Sequence, residues 1–129
     1  MLWYVIVGSA VGGGARYLLG TFIQARAGGA FPVGTLLINI AGSFLVGFIL
    51  RYSMGSAAIS PDVRALLTAG FCGGFTTFST FSWETVRLIE DGDYPRAAAY
   101  VALSIVLSLA GAFLGVGLAR EVLEARRRW

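Results

Sequence analysis

Uncharged apolar runs dominate the chain. Residues 27–50, 65–83 and 97–119 contain no charged side chain, and residues 1–25 contain only Arg16. A helix needs about 20 mostly apolar residues to cross the hydrocarbon core of a bilayer. The pattern therefore predicts an all-α membrane protein with four transmembrane helices, at about 2–24, 33–52, 63–89 and 96–119, in one integral-membrane domain over 1–129. Between the runs lie a Gly/Ala-rich loop at 25–32, a polar connection at 53–62 and the most polar turn of the chain at 90–95. Ser60-Pro61-Asp62 reads as an N-cap serine with proline at the first helical position. All three loops are short, so neighbouring helices run antiparallel.

Composition agrees with this reading. Hydrophobic residues make up 57% of the chain and charged residues only 13%, about half the charged share of a soluble domain. A soluble core of 129 residues could not hide so much apolar surface. The first run reads as a span and not as a secretory signal, because no basic residue precedes Leu2 and Arg16 interrupts it. The one cysteine, Cys72, falls inside the third span and reads as a small packing residue. Gly8 and Gly12 stand one turn apart, and Ser104, Ser108, Gly111 and Gly115 share one face of span 4. Small residues let membrane helices approach closely, so these faces predict oligomerisation, most simply a dimer.

All ten basic residues are arginine. Arg51, Arg64, Arg120, Arg126, Arg127 and Arg128 lie on one predicted side, and Arg26, Arg87 and Arg96 on the other. That count leans towards cytoplasmic termini, but without Arg126, Arg127 and Arg128 the bias vanishes. The tail reads as a positive-inside anchor, and no nucleic-acid partner is expected.

The chain has no histidine, and no acidic residue lies well inside a span. A proton relay, a transition-metal site and a Ser-His-Asp arrangement all lack their residues, so no enzyme is expected. The informative stretch is Gly70-Phe71-Cys72-Gly73-Gly74-Phe75-Thr76-Thr77-Phe78-Ser79-Thr80-Phe81-Ser82 near the middle of span 3. A Gly-Gly pair before a run of hydroxyl residues is a poor way to continue a helix. Irregular backbone at that depth survives only where protein, water or an ion satisfies its carbonyls. Carbonyls freed near Gly73 and Gly74 could hold a cation without a carboxylate; the same break also reads as a packing kink satisfied by neighbouring hydroxyls. Phe78 and Phe81 share a helical face, and their positive ring edges can flank an anion. Ser79, Thr80 and their neighbours supply O–H donors, and Asn39 in span 2 supplies an amide. That set suits a small, strongly hydrated anion, although phenylalanines and membrane hydroxyls also serve ordinary packing. Arg16 is costly inside a span and reads as a structural anchor or interface contact. Glu84, towards the end of span 3, fits a vestibule or an interfacial role equally.

Three motifs carry a resemblance. Gly12-Gly13-Gly14-Ala15-Arg16-Tyr17, then Gly34-Thr35-Leu36-Leu37-Ile38-Asn39-Ile40-Ala41-Gly42-Ser43-Phe44, then Gly70 through Ser82, resemble the Fluc/CrcB fluoride channels in order and spacing. With the four spans they cover essentially the whole chain. The resemblance implies passive fluoride exit across the cell (inner) membrane and fluoride resistance. It implies a dual-topology dimer of four-helix subunits with broken third helices crossing at a central structural sodium ion. By motif position the sodium ligands are the carbonyls of Gly73 and Gly74. Phe78 and Phe81 become an aromatic box, Asn39 a donor, Ser79, Thr80 and Ser108 a polar track, and Thr35 a vestibule residue. Opposite orientations in one homodimer need balanced arginines, so the basic tail leaves open a second copy of this chain or an oppositely oriented paralogue.

Two other classes compete. A small four-helix multidrug-type exporter needs a membrane-embedded carboxylate, which span 1 lacks and Glu84 supplies only near a helix end. A non-transporting membrane subunit would explain the small-residue faces but not the hydroxyl and phenyl run.

Overall fold

The computed structural model describes residues 1–129 and is entirely helical. Helix α1 (Leu2–Ala27) ends where Gly28 and Gly29 turn the chain with positive φ, 66° and 72°, a backbone region open to glycine at little cost. Gln24 fastens the loop that follows. Its Nε2 donates to the Phe31 carbonyl at 3.1 Å, and its Oε1 accepts from the Gly34 N–H at 3.0 Å. Helix α2 (Val33–Gly55) then returns across the molecule.

The third span is built in pieces. Ser60 caps α3 (Pro61–Ala65) through the Val63 N–H, with proline in the first turn as the sequence predicts. The chain widens into a π-helical stretch at Leu66–Cys72, tightens into the single turn α4 (Gly73–Phe75), and breaks. Thr76 and Thr77 are extended, with ψ of 159° and 114°. Helix α5 (Phe78–Glu90) restarts from Thr77, whose hydroxyl accepts from the Thr80 N–H. Three helices, α1, α2 and α6, are each long and apolar enough to cross a membrane; the third span crosses only as the sum of its pieces. Asp93 caps α6 (Tyr94–Arg127) and also pairs with Arg96 at 3.0 Å. This helix runs eight residues past the predicted end of span 4 at 119.

Glycine sets the packing. A Cβ on Gly8 or Gly12 would overlap the carbonyl oxygens of Leu66 or Phe71, so α1 lies directly on the π-helical stretch. A Cβ on Gly47 would meet the Ala112 carbonyl, and one on Gly115 the Phe44 carbonyl, so α2 and α6 touch backbone to backbone. The Gly8/Gly12 face and the Gly111/Gly115 part of the α6 face are thus filled within the chain, while Ser104 and Ser108 border a cavity. The sequence shows such faces but not which helix each one meets. The core is correspondingly small: 20 of 129 residues are buried, while Leu18, Phe22, Val106, Leu109, Phe113 and Leu114 point outward. An apolar exterior of that extent belongs in lipid.

Candidate functional site

The break is held by two polar side chains from other helices. Asn39 of α2 pairs twice with Thr77: its Oδ1 accepts from the Thr77 N–H at 2.8 Å and its Nδ2 donates to the Thr77 carbonyl at 3.1 Å. One amide therefore replaces a lost backbone partner on each side of an extended residue. Arg16 of α1 donates from Nε to the Gly74 carbonyl at 3.0 Å. Had the helix continued, the Thr77 and Phe78 N–H groups would have closed on the Gly73 and Gly74 carbonyls. Arg16 satisfies Gly74 in their place, while Gly73 loses its donor to Asn39. Arg16 thus ties α1 to the turn before the break.

Two cavities flank this knot, and Thr77 borders both. The first, about 540 Å³, collects Asn39, Phe78, Phe81, Ser104 and Ser108. The phenyl rings of Phe78 and Phe81 stand 5.3 Å apart at 47°, and Phe81 lies 5.2 Å from the Tyr100 ring. Phe81 leans on the buried cluster of Leu36, Leu88, Ala97 and Tyr100, whereas Phe78 is 79% exposed on the subunit surface. The second cavity, about 750 Å³, holds Arg16, Thr35, Thr80, Glu84 and Arg87. There the Thr35 hydroxyl donates to Glu84 Oε1 at 2.5 Å, which places Glu84 at the wall of a vestibule-like opening.

Most of the residues singled out from the sequence converge here. Asn39, Phe78, Phe81 and Ser108 share one cavity, and Thr35 and Thr80 share the other. Ser79 lines neither; it sits on the exposed face beside Thr77, their hydroxyls 3.3 Å apart. The structure adds two residues to the set. Tyr100 is fully buried and Ser104 nearly so, and neither hydroxyl has a hydrogen-bond partner. Tyr100, Ser104 and Ser108 follow an i, i+4, i+8 spacing on α6, a row of hydroxyls along one face. The sequence reading placed Ser104 and Ser108 on a small-residue face with Gly111 and Gly115, and it did not include Tyr100.

A buried hydroxyl without a partner costs roughly 1–3 kcal/mol, and native structures leave few such groups without a reason. Ser104 lies with Ser108 beside the aromatic pair and the Asn39 amide, in a cavity lined without lysine, and the Tyr100 ring backs Phe81. The structure thus defines a multi-pass membrane protein with a third helix broken at its middle and polar lanes on either side of the break.

Comparison with known proteins gives that architecture a family. The model of the family described as "CrcB-like protein, Camphor Resistance (CrcB)" matches residues 3–116, and the chain belongs to it. Among its relatives, the fluoride-specific ion channel FluC of Geobacter sulfurreducens is 47% identical over 118 residues, which is 92% of this chain and 95% of the relative. The protein of the same name from Syntrophotalea carbinolica is 44% identical over 121 residues, 94% of this chain and 98% of the relative. That from Roseiflexus sp. is 43% identical over 116 residues, 90% and 94%.

Proposed function

We propose that this chain is a fluoride channel that lets the ion leave the cytoplasm down its gradient. The observation that carries the reading is the cavity that brings Phe78, Phe81 and Asn39 together with Ser108 and the unpartnered hydroxyl of Ser104. A strongly hydrated anion can shed water only where donors replace it. The second N–H of Asn39, the hydroxyls of α6 and the ring edges supply them in turn, and none carries a full charge that would trap the ion. The relatives named fluoride-specific ion channels supply the choice of fluoride among small anions.

A dimer follows from the same break. Gly73 and Ser79 are exposed on the subunit surface, as is Phe78, at the depth where lipid offers no hydrogen bonds. A second copy of this chain in the opposite orientation would cover them; an oppositely oriented paralogue is the other candidate. For the structural sodium ion, the two expected carbonyls differ. Gly73 suits a cation, because Asn39 has taken its helical donor. Gly74 does not, because its oxygen already accepts from the Arg16 guanidinium and a cation there would meet that charge. In this reading Gly73 and its counterpart in the second copy would hold sodium, whose charge offsets carbonyl dipoles crowded at the centre.

Fluoride efflux from liposomes tests the pathway. Phe78→Ile and Phe81→Ile should each lose most of the flux while the protein remains assembled. Unchanged flux in both would remove the rings from the route.

A further inference from the structure

Helix α6 does not stop where the family match stops. The match ends at residue 116, whereas the helix continues to Arg127. The extension is docked: Ala119 and Leu123 are buried, and the Leu123 side chain covers Gly55 at the end of α2. Arg126 lies over the Tyr52 ring, 5.8 Å from its centroid, and donates to the Tyr52 hydroxyl. Tyr52 in turn stacks on Phe48. A terminal segment fixed this way presents its arginines from a defined height.

That height coincides with lipid phosphate. Arg96 marks one end of the apolar stretch of α6. At 1.5 Å per residue, Arg120 stands about 36 Å along the helix from it, and Arg126 to Arg128 about 45–48 Å. A bilayer measures about 40–45 Å across its headgroups, and a tilt of about 20° shortens the helix's reach slightly. Arg120 therefore falls at the headgroup layer and Arg126 to Arg128 at its outer edge, within reach of the phosphates through their long side chains. None of them has a carboxylate within 4.0 Å, although Glu121 and Glu124 belong to the same segment. At the opposite end Arg96 is neutralised by Asp93, and Arg26 and Arg87 lie over the rings of Phe22 and Trp83. Trp129 is fully exposed beside the arginines, as an interfacial anchor requires.

We infer that Arg120, Arg126, Arg127, Arg128 and Trp129 form a docking surface for the headgroups of anionic phospholipid. Guanidinium groups bind phosphate through paired N–H donors, and the missing carboxylate partners leave those donors free for lipid. Tyr52 orients Arg126 within this surface.

The test is the lipid retained by the full-length protein after extraction from bilayers of phosphatidylcholine and phosphatidylglycerol, read by native mass spectrometry. The native protein should carry phosphatidylglycerol well above its bulk share. In Arg126→Gln/Arg127→Gln/Arg128→Gln that enrichment should fall about tenfold or more, and the corresponding triple lysine variant should keep most of it. Arg128→Gln alone, at an exposed position past the end of the helix, should show a partial loss in an unperturbed fold. Equal retention of the two lipids by the native protein overturns the proposal. So does unchanged enrichment in the triple glutamine variant, the result for arginines that only direct insertion. A lysine variant that loses as much lipid as the glutamine variant also overturns it, since packing would then be the cause.

Discussion

One asparagine amide holds the centre of the molecule together. Asn39 gives Thr77 both an acceptor and a donor, so its side chain defines the break and not only the lane beside it. Asn39→Asp keeps the acceptor for the Thr77 N–H but sets a carboxylate oxygen against the Thr77 carbonyl. That variant should lose about 2 kcal/mol of stability and most of its fluoride flux, read by thermal unfolding and by electrode. Tyr100 makes the opposite kind of residue. Tyr100→Phe removes a buried hydroxyl without a partner, so the protein should become more stable, by about 1 kcal/mol, while conduction slows. Stability and flux moving together would show that the hydroxyl has no part in the lane. Phe78, Phe81 and Asn39 were legible from the sequence because their motif is dense and polar inside an apolar run. Tyr100 was not, since a lone tyrosine in an apolar helix carries no sign of whether its hydroxyl is satisfied. The Arg16–Gly74 hydrogen bond was not legible for a related reason: sequence spacing does not reveal that Arg16, 58 residues earlier, reaches that oxygen.

At the scale of helices, glycine decides how closely the spans approach. Gly12→Ala would drive a methyl group into the Phe71 carbonyl, a backbone atom that cannot swing away. We expect a loss of about 1–3 kcal/mol in denaturant or thermal unfolding in detergent. Gly14→Ala, two residues on, meets nothing within 4 Å and should leave stability equal or slightly raised through helix propensity. Equal losses in the two variants would contradict the packing described here. The number and order of spans could be read from charge-free runs alone, because bilayer thickness fixes helix length. The π-helical stretch before Gly73 could not be read, since widening a helix by one residue per turn leaves the apolar pattern almost unchanged. The extension of α6 to Arg127 was also missed, because its charges ended the apolar run while helix propensity and docking on α2 carried the helix onward.

Taken whole, the molecule leaves the break in its third span exposed. An exposed helix break with a half-solvated aromatic pair belongs against protein, which is the physical ground for a second copy across the membrane plane. If a sodium ion at Gly73 ties the copies together, replacing sodium by an organic cation should shift the protein from dimer towards monomer, measured by light scattering in detergent. A dimer indifferent to sodium would remove the ion from the interface. The glycine faces do not contribute to that argument, because they are filled within the chain. For the proposed dimer, the exposed, polar side of the third span is the surface that would form the interface.

The most direct measurement is anion efflux from liposomes holding this protein alone, with fluoride and chloride electrodes read in parallel and no proton gradient imposed. Rapid loss of fluoride with chloride retained is the predicted result. Loss of both ions, or loss of neither, would contradict a selective fluoride channel formed by this chain.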